Sequence, residues 1–203
     1  MTLNWYKKMS KIYEPYFEPI GHIYETPEGK RLDSVTQILK AELGLWQFGT
    51  CDAAERGTRV HLACQYYDEG RLDMATVSAV DMPYLESYIL AKKELKLKVL
   101  QNEIRRYHGI YKYAGTVDKL AEIGRQGIMV DVKTGAKEHS YQWQTIAYLK
   151  LIEQESKRKW RRMGLYLSPT GYKVEWHDNP TDWTEFLSLW ASHNVKKMYG
   201  YVK

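Results

Sequence analysis

Between Ala114 and Lys133 the chain has little freedom. AGTVDKLAEI and IMVDVK are rich in apolar and β-branched residues, and GRQG (124–127) separates them. That pattern predicts two antiparallel strands around a tight turn. If Ile123 pairs with Ile128, Asp118 faces Lys133 and Leu120 faces Asp131. Side chains alternate along a strand, so Asp118, Asp131 and Lys133 share one face. Val117, Ile123, Ile128, Val130 and Val132 share the other, the expected core face, whose pattern Lys119 breaks. A slip of one residue would separate the two acids.

The flanking segments predict a mixed α/β domain, with helices packed on a central sheet. HIYETPEGKRL (22–32) reads as a hairpin turning at Pro27–Gly29. Asp33 or Ser34 is placed to cap a helix over Val35–Leu43. Longer helices are expected over Ala53–Asp68 and Pro83–Leu95, then a strand over Leu97–Tyr107. Trp143, Ile146, Ala147 and Leu151 have helical spacing within His139–Gln154. Met163–Leu167 and Tyr172–Trp176 flank SPTG as a second hairpin. Trp183–Val195 is a closing helix with Asn179 or Thr181 near its cap. No repeat or linker divides the chain. One domain over residues 1–203 is expected, with a hairpin and helical region to about residue 95 and a core from about 96.

Apolar residues make up 44% of the 203-residue chain, enough for a packed core. The 17 Tyr and 7 Trp read first as half-buried packing. A formal charge of +5 permits a polyanionic partner without requiring one. The bases cluster in KRKWRR (157–162) and KKELKLK (92–98), with Arg105 and Arg106 following. Lys157, Arg158, Arg161 and Arg162, or Lys92, Lys93, Lys96 and Lys98, are therefore candidates for contacts to nucleic-acid phosphates. The alternative is a solvated helix end or exposed face. Two cysteines make neither a secreted disulfide framework nor a four-cysteine iron–sulfur ligand set. The N-terminal stretch has no continuous apolar leader, and no segment approaches the ~20 apolar residues of a membrane span. A reducing, soluble, cytoplasmic setting is expected.

Two carboxylates and a lysine beside a sheet call for an explanation, since nearby carboxylates repel and burial raises the cost of their charge. A hard divalent cation answers both problems, and carboxylate and carbonyl oxygens suit Mg2+ or Mn2+. Such an ion can lower the pKa of water and stabilise charge developing on a phosphate. The other reading of the hairpin is a surface Asp–Lys ion pair.

Taken in order, the chain reads RGTRVH (56–61), Glu103, GTVD (115–118), DVK (131–133) and QTIAY (144–148). This series resembles the RecB-like branch of the PD-(D/E)XK nucleases, over roughly residues 34–150. DSVTQIL (33–39) followed by ERGTRVH is particularly similar to phage exonucleases and the mitochondrial genome maintenance exonuclease. The resemblance implies a restriction-endonuclease-like core with a central mixed sheet. It implies that His61, Asp118, Asp131 and the Val132 carbonyl hold one or two Mg2+ or Mn2+ ions, and that Lys133 assists catalysis. Glu103 matches an acidic position that binds metal or holds the lysine, and Gln144 and Tyr148 support the site and the DNA path. Each residue also has a plainer role open to it: a structural histidine at 61, an exposed acid at 103, amphipathic packing at 144 and 148. Asp52, Glu55 and Arg56 precede His61 and could support it.

By the same resemblance the reaction is hydrolysis of a DNA phosphodiester, from ends rather than internally, in recombination, repair or replication. DNA, as a single strand or a duplex end, is the implied partner, with a single-strand annealing protein as a further one. The cysteines of iron–sulfur relatives are absent, and no GxxxxGK[ST] phosphate loop marks a helicase motor. The competing readings are a structure-specific endonuclease or junction resolvase, and a DNA-binding protein of nuclease fold without turnover.

Overall fold

The structure, a computed structural model, describes residues 13–44 and 51–202. Most of the N-terminal stretch expected to lack an apolar leader, and the Cys51 side chain, lie outside the described residues. No described helix is long and apolar enough to cross a membrane.

Three short strands come first: β1 (Tyr16–Glu18), β2 (Ile23–Glu25) and β3 (Arg31–Ser34). The first of these carries no pattern that announces it. The β2–β3 hairpin turns through Thr26–Lys30, where Gly29 adopts φ 79°. Helix α1 (Val35–Leu43) follows β3 directly. Ser34 caps it, its hydroxyl accepting from the Gln37 N–H while Gln37 Oε1 accepts from the Ser34 N–H. This reciprocal box satisfies two donors that the first turn would otherwise orphan. Gly44, at φ 66°, ends the helix in the left-handed conformation favoured at helix C-termini. Then come α2 (Cys51–Asp68), a 3-10 turn at Met74–Thr76, and α3 (Met82–Glu94). Strands β4 (Leu97–Tyr107), β5 (Tyr113–Ile123) and β6 (Gln126–Lys133) lead into α4 (Ser140–Glu153). β7 (Trp160–Ser168), β8 (Gly171–Trp176) and α5 (Asp182–Met198) complete the chain.

The result is a mixed α/β fold with a central sheet flanked by helices. β6 and β7 are parallel, as are β3 and β5, and the remaining pairs are antiparallel. One core layer packs Val117, Leu120 and Met129 of the sheet against Ile146, Leu151 and Ile152 of α4 and Phe186 of α5. The opposite layer packs Ala121, Ile128, Val130 and Val132 against Val60 and Cys64 of α2 and Leu85 and Tyr88 of α3. Burying each such Leu or Ile contributes about 1.5–3 kcal/mol.

The hairpin register differs from the expected one. Ile123 pairs with Gln126, so the turn is the dipeptide Gly124–Arg125, with Gly124 at φ 61°. Two-residue turns with positive φ match strand twist, which favours the shorter loop. Gly127 serves packing instead: a Cβ there would lie 2.8 Å from the Trp160 ring and 2.7 Å from Arg158 Nε. Trp160–Arg162 are also not a helix end. They open β7, because the chain crosses back after α4 to run parallel with β6.

The face assignment changes too. Val117 belongs to the α4-side core, whereas Lys119 points to the α2–α3 side. There its ammonium donates to Asp68 at 2.7 Å and to Asn102 at 2.8 Å. Alternation therefore breaks at Asp118. The β4–β5 ladder skips the same level, passing from Asn102–Lys119 to Ile104–Val117, and Glu103 between them takes φ 51°. A non-glycine residue held there is strained, and such strain gathers at functional sites.

The sheet also opens at this level. β4 occupies one edge of β5 from Ala114 to Ile123. On the other edge β6 pairs only as far as Lys119, and β3 pairs only at Tyr113 and Ala114. Residues 115–118 lie in the gap between them.

Candidate active site

Asp118 stands at the mouth of that gap. Its Oδ2 accepts the Val132 N–H at 2.8 Å, standing in for the strand that has diverged. The register shift of two residues keeps parity, so Asp118, Asp131 and Lys133 still meet, with Asp118 approaching the level of Asp131 rather than Lys133.

His61 reaches Asp118 from α2, Nδ1 to Oδ2 3.5 Å. One turn earlier Gly57 faces the end of β6, where a Cβ would make ordinary contact with Thr134 Oγ1 at 3.4 Å. Arg56 donates to the Thr134 carbonyl at 3.5 Å from the same turn. Glu103 closes the group, and one ligand atom from each of His61, Glu103 and Asp118 lies within 4.8 Å of the others. Burial, then the charge of Asp118, pushes the Glu103 carboxyl up to about 7.

Asp131 lies outside that trio and is 2% exposed. Burial raises its carboxyl to about 6 against the pull of Lys133, whose Nζ is 2.9 Å from Oδ2. For Lys133, burial works against the charge, but Asp131 and Asp118 outweigh it and the ammonium is held above its ordinary pKa. Gln144 Oε1 accepts from Lys133 at 2.9 Å, and its Nε2 donates to the Tyr148 hydroxyl at 3.1 Å. Gly115 makes room for this: a Cβ would lie 2.5 Å from the Tyr148 ring. Tyr141, one turn before Gln144, sets its ring 4.3 Å from Lys133 Nζ, a cation–π contact that sequence reading missed. Its spacing of three from Gln144 was the available signal.

The donor set fits a hard divalent cation. One imidazole nitrogen and two carboxylate oxygens gathered within 4.8 Å are donors that would hold such an ion. Burial, then the charge of Asp118, disfavours the charged Glu103 carboxyl, and an ion there would offset both. The trio opens into a cavity of about 980 Å³ lined by Thr36, Lys40, Arg105, Thr116 and Lys133 among others. A second cavity of about 970 Å³ continues past Lys133 to Tyr141, His139 and Trp143.

The two basic runs lie elsewhere. Trp160 pairs with Gly127, six residues and about 20 Å along β6 from Lys133. Lys98 pairs with Glu122, about 13 Å along β5 from Asp118. Lys157 is exposed, but Arg158 pairs with Glu122, Arg161 with Asp178 and Lys92 with Asp68. Arg162 is buried, 2.7 Å from buried Asp182, and cannot reach a ligand from there. Lys93, Lys96 and Lys98 are exposed.

The sequence matches no protein-family model and no curated protein. Among solved structures, the fold is similar to that of a candidate exonuclease from Eubacterium rectale. The TM-score is 0.51 at 13% identity, over 81% of this chain and 74% of that one. At that identity the likeness speaks for the fold. The protein SSO0001 aligns at 17% identity over 78% of this chain and 84% of its own, but its TM-score of 0.37 carries no argument.

Proposed function

We propose that this chain is a divalent-metal-dependent DNA nuclease of the RecB-like PD-(D/E)XK branch, acting from DNA ends. The observation that carries the reading is the convergence, at one gap in the sheet, of His61, Glu103 and Asp118 with the Lys133–Asp131 pair. The fold shared with a candidate exonuclease supports it.

His61, Glu103 and Asp118 would hold Mg2+ or Mn2+, with Asp131 and the Val132 carbonyl adding oxygens from β6. When bound, the ion supplies an activated water and charge stabilisation on the phosphate. Lys133 is fixed by Asp131, Gln144 and Tyr141, so its ammonium meets the charge developing on the phosphate without reorganising. Asp131 keeps that ammonium charged inside a buried site. Gln144 and Tyr148 hold Lys133 and the sheet in one geometry.

Linear and closed-circular DNA incubated with Mg2+ or Mn2+ test this. The expected result is loss of the linear substrate alone, stopped by EDTA, with end labels giving the polarity. A nicked circle would make the enzyme an endonuclease, and binding without cutting would leave a DNA-binding protein.

A further inference from the structure

Of the eight candidate bases in the two runs, four are paired with carboxylates of the chain and none lines the cleft, whereas three isolated ones face it. His22 precedes β2, Lys40 lies on α1 and Arg105 on β4. All three line the cavity that holds His61, Glu103 and Asp118. Among the described residues neither Lys40 nor Arg105 forms an ion pair, although Arg105 lies over the Phe17 ring, 4.6 Å from its centroid. Partial desolvation, then the charges of Lys40 and Arg105, lower the His22 pKa, so the three are within electrostatic reach. His22 is also held at φ 50°, its ring edge-on to Phe17 and Tyr24 at 5.3 and 5.2 Å. Tyr24 in turn bonds Thr116, in the gap of the sheet, at 2.8 Å. The strained residue is thus tied to the site rather than to a free loop.

Glu103, on which Arg105 acts electrostatically, is shared with His61 and Asp118, so among the described residues Lys40 and Arg105 have no ion-pair partner of their own and an anion beside them would supply one. The same cavity carries His61, Glu103 and Asp118, with Glu103 two residues from Arg105 on β4. With a divalent ion held by the trio, a ligand that meets both would have one anionic group at the ion and another, joined to it, at the bases. We propose that Lys40, Arg105 and His22 form a phosphate subsite that seats the backbone phosphate neighbouring the one cut. The inference rests on the nuclease reading and extends it to how the strand is held. The face of Phe17 holds the planar Arg105 guanidinium in place, and Lys40 contributes a point charge from α1.

The test is fluorescence anisotropy of a labelled 20-nucleotide single strand, and of a blunt duplex of the same sequence, over a salt series with Ca2+ in place of Mg2+. Both side chains are exposed, so Lys40→Gln with Arg105→Gln should leave the melting temperature unchanged. Two lost phosphate contacts should reduce the slope of log affinity against log salt by about 1.4–1.8. In Mg2+ the double variant should raise KM at least tenfold with kcat within about threefold. Lys40→Arg with Arg105→Lys should restore both. Lys157→Gln with Arg161→Gln should leave the slope as it is. An unchanged slope in Lys40→Gln/Arg105→Gln, with wild-type protein cutting DNA, overturns the subsite and leaves the nuclease reading standing. The reduced slope with no cleavage by the wild type would keep the subsite and overturn the nuclease. Failure of the wild type to bind either DNA overturns the subsite.

Discussion

Lys133 has three restraints of different kinds: an ion pair to Asp131, a hydrogen bond to Gln144 and the face of Tyr141. Flexible lysines lose rotamer entropy when fixed this tightly, so the arrangement implies that the position of the charge matters. Lys133→Ala should lower cleavage by roughly 10²-fold or more while the fold persists, because it deletes charge that a transition state would meet. Asp131→Asn should do the same, by releasing the ammonium and removing an oxygen from the site. Single-turnover cleavage in Mn2+, with circular dichroism as the fold check, measures both; near-wild-type turnover by folded Lys133→Ala would refute the assignment. Much of this constellation is readable from sequence, because strand parity survives a register error of two. For Glu103 the resemblance left metal binding, holding Lys133 and plain exposure open, and the folded chain sets it beside His61 and Asp118. Its place depends on a backbone kink at φ 51°, which no residue type announces. His22, Lys40 and Arg105 come from three separate segments and meet only in the folded chain.

Helix α2 brings His61 to the sheet, and the residue that fixes α2 is the one that spoils the strand pattern. Lys119 is 3% exposed, and Asp68 at the end of α2 accepts from it, from the Tyr88 hydroxyl and from Lys92 of α3. Asp68 is two turns from His61, so this cluster sets both the height and the rotation of the helix. Lys119→Met should cost about 3 kcal/mol, the lower end for breaking a buried pair, since Lys92 and Tyr88 remain on Asp68. For a chain of this size that corresponds to a fall of about 6–12 °C in melting temperature. Calorimetry checks it, and a shift under about 1 °C would mean that the lysine is not needed there. At this scale caps and periodicity were informative: the Ser34–Gln37 box and the strand limits at Leu97 and Tyr107 follow from local chemistry. The Trp160–Arg162 strand was not, because its charges find partners only beyond β8: Arg161 pairs with Asp178 and Arg162 donates to Asp182.

Over the whole molecule the three metal-site candidates come from α2, β4 and β5, elements of one core layer that meet where the sheet opens. Without an ion, burial and then the like charge of Asp118 raise the Glu103 pKa, since both disfavour its charged form. An ion bound by all three would tie the helix to the two strands and remove the repulsion, so binding should stabilise the native state specifically. At a free Mn2+ concentration about 100 times the dissociation constant, linkage gives about 2.7 kcal/mol. That corresponds to a rise of about 5–11 °C in melting temperature. His61 adds a nitrogen donor, so Mn2+ should serve at least as well as Mg2+. Asp118→Asn removes both a ligand and the repulsion: its melting temperature in EDTA should match or exceed that of the wild type, and its response to Mn2+ should vanish. Thermal melts in EDTA and over a Mn2+ titration separate these outcomes without relying on cleavage. An equal Mn2+ response in wild type and Asp118→Asn would place the ion elsewhere and leave the gap in the sheet without its proposed metal.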